Sequence, residues 1–117
     1  MKTISGTHQK WIVKPEHREQ LRALFVSGFE ATLRTPREDI DMFELADGAQ
    51  IGVFFRADAL DEAQARMGAW LEFAAEDPAA LTKTLEGLAV ARVPNDDTRH
   101  AYFQAPGGPV FRIAGRG

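Results

Sequence analysis

The chain of 117 residues contains no cysteine. Disulfides, thiolate metal ligands and cysteine nucleophiles are thereby excluded. No apolar run approaches the roughly 18 residues that a membrane-crossing helix needs. The opening "MKTISGTHQKW" lacks the apolar core of a secretion signal. Positive charge is not in excess: 14 Lys and Arg against 17 Asp and Glu leave a formal net charge of −3. Neither nucleic acid nor an anionic membrane is therefore an expected partner. No glycine-rich phosphate loop follows a strand and opens a helix, and no Ser–His–Asp set is apparent. What is present is ordinary globular composition, 44% hydrophobic and 26% charged, which argues against disorder. A cytoplasmic domain with a core covering roughly two-thirds of its unfolded surface is expected.

The order of local patterns is more informative. "HQKWIVK", residues 8–14, sets Trp11 and Val13 in alternation with Lys10 and Ile12, a strand with one face packed. In "PEHREQLRALFVSGF", Pro15 suits the first helical position, and Glu16 and Glu19 suit its positive first turn. Leu21, Leu24 and Phe25 form the apolar stripe, and Gly28 is expected to take a left-handed stop. Three short strands should follow: "EATLR", "DMFELA" and, after a turn at Asp47-Gly48, "AQIGVFF".

The second half repeats that order. "AWLEFAA", residues 69–75, opens it; Asp77 and Pro78 start a helix whose stripe is Leu81, Leu85 and Leu88. "VARV", "AYFQA" and "PVFRI" read as the closing strands, with Gly107-Gly108 in the place of Asp47-Gly48. Gly48 and Gly108 lie 60 residues apart, and His8 and Trp70 lie 62 apart. The chain thus divides into a first module over about 7–56, an alanine-rich linker over about 57–68, and a second module over about 69–115.

A tandem βαβββ unit ending in "APGGPVFRI" resembles the vicinal-oxygen-chelate superfamily, the group of glyoxalase I, extradiol dioxygenases, and fosfomycin- and bleomycin-resistance proteins. The ending is similar to the family pattern "DPDGN-x-x-E" with its aspartates missing. The resemblance implies an α+β fold in which the two modules form a curled, cup-shaped mixed sheet with helices on the outer face. It also implies a metal held by one ligand at the start of each opening strand and one near the middle of each closing strand. Those places here are His8, Trp70, Gly52 and Arg112. Only the histidine matches, and a guanidinium has no lone pair to give and would repel a dication about 4 Å away. No metal and no cofactor are expected.

The candidate ligand-binding residues are accordingly Arg112, Trp70 and His8, with Lys10 and Glu72 at matched positions on the two opening strands. Arg112 would anchor an anion, unless Glu72 neutralises it; Trp70 would either offer its ring to a ligand or fill the core; Lys10 and Glu72 would pair if they meet. His8 is also the candidate catalytic base. Glu44 and Gln104 are matched polar positions whose direction alternation leaves open. His17 should be solvated, and Asp96, Asp97 and His100 read as a polar hairpin loop rather than a metal site.

The expected function is metal-independent binding of a small organic anion or planar molecule, in the manner of a bleomycin-resistance protein. The alternative is a lyase, isomerase or dioxygenase-type enzyme using His8 as base or metal ligand. The resemblance and the unpaired sheet edges of so small a chain lead to the expectation of a homodimer.

Overall fold

A computed structural model describes residues 1–116. Strand β1 (His8–Val13) leads through a 3-10 turn at Pro15–His17 into helix α1 (Arg18–Arg22), which continues as a π-helical stretch at Ala23–Gly28. Strands β2 (Thr32–Arg37), β3 (Ile40–Glu44) and β4 (Gln50–Phe55) complete the first module. A short linker helix, α2 (Glu62–Arg66), precedes β5 (Leu71–Ala75), α3 (Pro78–Gly87), β6 (Ala91–Arg92), β7 (Ala101–Gln104) and β8 (Val110–Gly115). No helix among the described residues is long and apolar enough to cross a membrane.

The strands form two four-stranded mixed sheets, in the orders β1-β4-β3-β2 and β5-β8-β7-β6. In each, the opening strand runs parallel to the closing strand, and the remaining pairs are antiparallel. The duplication extends to single hydrogen bonds. Leu45 N–H donates to the Ala49 carbonyl at 2.8 Å, as Ala105 does to Pro109 at 3.0 Å, and Gly48 donates to Leu45 as Gly108 does to Ala105. The register also repeats: Lys10 lies opposite Gly52, and Glu72 opposite Arg112.

The helix ends depart from expectation. Gly28 is still helical, and the left-handed residue after it is Glu30, at φ 56°. The π-type widening carries the helix further, so that Phe29 donates back to Leu24 and Ala31 back to Phe25. Gly28 is needed for space instead: a Cβ there would come within 2.8 Å of the Leu85 side chain on α3. Strand β2 likewise starts two residues later than "EATLR", because residues 29–31 are spent on that stop.

One contiguous core joins both modules. Trp11, Val13, Phe43, Ile51, Val53 and Phe55 meet Leu21, Leu24 and Phe25, and continue into Phe73, Phe103, Phe111 and Ile113. Phe25 stacks on Phe43 at 4.3 Å and meets Phe73 edge-on at 6.5 Å. Phe29 reaches Phe73 at 4.8 Å and Phe111 at 5.5 Å. Such pairs are worth about 0.5–1.5 kcal/mol each beyond area burial.

A polar clasp lies on the same face. Asp41 of β3 is fully buried and accepts from both arginines of α1: Arg18 at 2.7 and 3.2 Å, and Arg22 at 2.7 and 2.9 Å. Burial would raise its pKa, but hydrogen bonds from Arg22 and Arg18 outweigh that and bring it from 3.8 to about 2. A depressed carboxyl stabilises the fold fully above its unfolded value and loses that contribution as pH falls through the folded one. About 2 kcal/mol should therefore disappear between pH of about 4 and 2. Asp41→Asn should cost about 2–4 kcal/mol by urea denaturation at neutral pH, since it leaves two guanidiniums without their carboxylate. Its stability should also fall less steeply than the parent's across that acid window.

Candidate functional site

With Trp11, Val13, Ile51 and Val53 turned to the core, alternation sends Lys10, Ile12, Gly52 and Phe54 to the opposite face of the first sheet. Lys10 Nζ lies 4.2 Å over the Phe54 ring. Met42, paired with Gly52, places its methyl group 3.1 Å from where a Gly52 Cβ would stand. This face is mostly apolar. His8 is exposed at the start of β1, and its side chain makes no hydrogen bond among the described residues.

The second sheet carries different chemistry on its open face. Phe111 and Ile113 are buried, so Arg112 between them emerges on the other side. Its Nε donates to Glu72 at 2.7 Å, and its Nη1 faces Asp97 at 3.3 Å and the Tyr102 hydroxyl at 3.5 Å. Tyr102 donates to Asp97 at 2.9 Å, and His100 Nδ1 lies 2.6 Å from the same carboxylate oxygen. Asp97 also accepts from the Arg99 backbone N–H at 3.0 Å. That backbone bond, with those of Tyr102 and His100, outweighs burial and holds the Asp97 carboxyl well below the ordinary carboxylate range. The bonds of Arg112 to Tyr102 and Glu72 hold its guanidinium firmly protonated. Trp70 flanks the network, with its ring 5.8 Å from that of Tyr102 and 44% of its surface exposed. Its indole N–H is held by the Arg66 carbonyl at 2.8 Å.

Sequence reasoning thus placed Trp70, Glu72 and Arg112 in one neighbourhood, where the structure also has them. His8 and Lys10 belong to the other sheet, and no ion pair joins Lys10 to Glu72 among the described residues. The reason is register: Glu72 lies directly opposite Arg112 on the neighbouring strand, and takes that nearer cation. Glu44 is exposed. Gln104 is buried and clamps the linker helix, bonding the Glu62 and Gly108 carbonyls and accepting twice from Arg66. His17 is not solvated: its side chain is only 16% exposed, beside Glu62 and against the Gly107 turn.

The sequence reading missed Tyr102, and took Asp97 and His100 for loop residues without a partner on the sheet. One signal was available: the single tyrosine of the chain stands as far before Gly107 as Arg112 stands after it. A hairpin centred there pairs them, as observed.

No protein-family model matches the chain, and no curated protein does. Solved structures do match. A mutant of the fosfomycin resistance protein FosX from Listeria monocytogenes, complexed with Mn(II) and 1S,2S-dihydroxypropylphosphonic acid, superposes with a TM-score of 0.72. It is 23% identical over 97% of this chain and 95% of that one. FosX from Mesorhizobium loti gives 0.70 at 16% identity, covering 95% and 92%. A glyoxalase family protein from Bacillus anthracis gives 0.73 at 12%, covering 100% and 99%. The fold is the vicinal-oxygen-chelate fold. At these identities the likeness concerns architecture alone, and the chemistry must be read from the residues.

Those residues do not fit a divalent metal. The closing-strand position of the second sheet holds the Arg112 cation, and its counterpart is Gly52, with Met42 against it. Among the described residues no three His, Asp or Glu side chains converge as ligands. Asp97, the carboxylate nearest Arg112 besides Glu72, already accepts from Tyr102 and His100.

Arg112→Ala should leave the fold intact, because its short bond to Glu72 joins two side chains that are each more than a third exposed and its contact with Asp97 is long, 3.3 Å, and exposed pairs contribute about 0–1 kcal/mol. Circular dichroism should be unchanged and the urea midpoint nearly so. A loss above about 2 kcal/mol would mean that Arg112 supports the fold rather than a site.

Proposed function

We propose that this protein is a metal-independent binding protein for a planar small molecule, held on the open face of the second sheet. The observation that supports this is the engagement of Arg112 with Glu72, Asp97 and Tyr102 beside a half-exposed Trp70. An indole face standing open next to a fixed polar network offers stacking area and directional hydrogen bonds together. Arg112 keeps Nη2 without a partner among the described residues, which can reach an acceptor on a ligand. The two carboxylates are already matched by two guanidiniums, Arg112 and, 3.8 Å from Asp97, Arg99, so no cation is left in excess for a strongly charged anion and a neutral or weakly polar planar molecule is the better fit.

Thermal denaturation separates this from a metal-centred reading. Planar aromatic compounds at well above their dissociation constants should raise Tm by several degrees, as ligand binding at 100 times Kd adds about 2.7 kcal/mol. Trp70→Ala should abolish that rise. Mn(II), Ni(II) and Zn(II) should have no stoichiometric effect, and elemental analysis should find no resident metal. A metal-specific rise in Tm would refute the proposal.

We also propose a homodimer. Strands β1 and β5 each pair on one side only and leave an edge open. Beside β1 lies a largely apolar cavity of about 460 Å³, bounded by Trp11, Ile12, Leu60, Leu71 and Pro109. Burying that surface against a second copy would cover both. Light scattering at micromolar concentration should give about twice 12.9 kDa; the chain mass itself at all concentrations would refute it.

A further inference from the structure

We infer that His100, oriented by Asp97, is the hydrogen-bond acceptor of this site, and that its ligands are planar molecules bearing an acidic N–H or phenolic O–H. The inference rests on the planar-ligand reading above and names the chemistry that selects among planar compounds.

The geometry fixes the proton. His100 Nδ1 lies 2.6 Å from an Asp97 oxygen, and an ionised carboxylate can only accept. A neutral imidazole must therefore carry its hydrogen on Nδ1, which leaves the Nε2 lone pair available. Asp97 cannot turn to release it, because Arg99 N–H holds one oxygen while Tyr102 and Arg112 hold the other. In its neutral form the ring is thus set in one tautomer and one orientation, with Nε2 an acceptor that has no partner among the described residues. Pinning the loop does not require it, since Asp97 already ties that loop to β7 and β8 through Tyr102 and Arg112.

The other groups here are donors, or carboxylates that are either bonded already or open to water. Tyr102 gives its proton to Asp97, and Arg112 can only donate. Glu72 retains an acceptor oxygen but is about half exposed, where hydration competes with a ligand. The His100 side chain is 23% exposed, less than Glu72, so less hydration is lost on binding. Trp70 flanks Tyr102, its ring 5.8 Å away and tilted, and Tyr102 and His100 bond the same Asp97 oxygen. The proposed ligand stacks on Trp70 and extends its edge donor along this network to His100.

The experiment compares 4-cyanophenol with its methyl ether, 4-cyanoanisole, which has the same ring and no donor. Binding is followed by the indole N–H signal of Trp70 in nitrogen–proton NMR spectra; the chain has only two tryptophans. The phenol should bind about tenfold tighter than the ether. His100→Ala should bring the two within about twofold without weakening the ether, and Glu72→Gln should preserve the preference. In the parent, long-range nitrogen–proton correlations should show His100 protonated on Nδ1, a readout that needs no variant to fold. Equal binding of both compounds by the parent, or protonation on Nε2, overturns the role of His100 while leaving the planar-ligand reading intact. A preference lost in Glu72→Gln but kept in His100→Ala overturns it too. If neither compound moves the Trp70 signal, the planar-ligand reading fails and this inference with it.

Discussion

Phe25 and Phe29 belong to one helical segment and touch both sheets, and that shared packing decides which face of every strand is open. Phe25 lies against Phe43 of the first sheet and Phe73 of the second; Phe29 extends the contact to Phe111. Once these rings fix the buried face, the strict alternation of a strand leaves no choice about its neighbours. Lys10, Gly52 and Phe54 must lie on the far side of one sheet, and Glu72, Tyr102 and Arg112 on the far side of the other. A slip of one residue would bury a guanidinium and expose Phe111. The polar network is therefore a consequence of aromatic packing on the opposite side of the same strands.

The internal duplication repeats this frame without repeating its chemistry. Opening and closing strands pair in the same register in both modules, so that Lys10–Gly52 and Glu72–Arg112 are equivalent pairs. In the first pair the side chain opposite Lys10 is missing, and the ammonium settles over Phe54. In the second, both members are charged and complementary, and they bond directly. Architecture is held by apolar alternation, turn geometry and the helix stripes. The open-face residues carry none of that burden and are free to differ.

This division also explains what could be read from the sequence. The module order, both helix starts and the two closing hairpins were legible, because each rests on local rules of periodicity, capping and turn residues. The Asp77 cap, for example, accepts from Ala80 N–H as its position implies. Gly28 was misread as a stop, because a glycine required by a neighbouring helix looks the same in sequence as one required by backbone conformation. Arg112 was correctly turned away from the core, since Phe111 and Ile113 decide that locally. The partners of Asp97 and His100 were not legible: a loop is tied to a sheet by contacts that periodicity does not encode. The clasp of Asp41 was hidden for a related reason. A carboxylate in an apolar strand reads as solvent-facing, unless the two arginines one helical turn apart on α1 are known to lie above it.

The Arg112 network is not one isolated charge but a connected set. A guanidinium on the closing strand needs acceptors, and Glu72 and Asp97 supply them. Asp97 in turn needs a fixed loop, provided by Tyr102 and the Arg99 backbone. Replacing Arg112 alone by glutamate would bring a third carboxylate beside two others with no cation between them, a repulsive arrangement at these distances. Each member of the network is thus held by the others, so its open face keeps a fixed pattern of donors, acceptors and ring surface. That fixity is what distinguishes a connected network from a scatter of exposed charges. It is achieved here with two guanidiniums, two carboxylates, one imidazole and two aromatic rings.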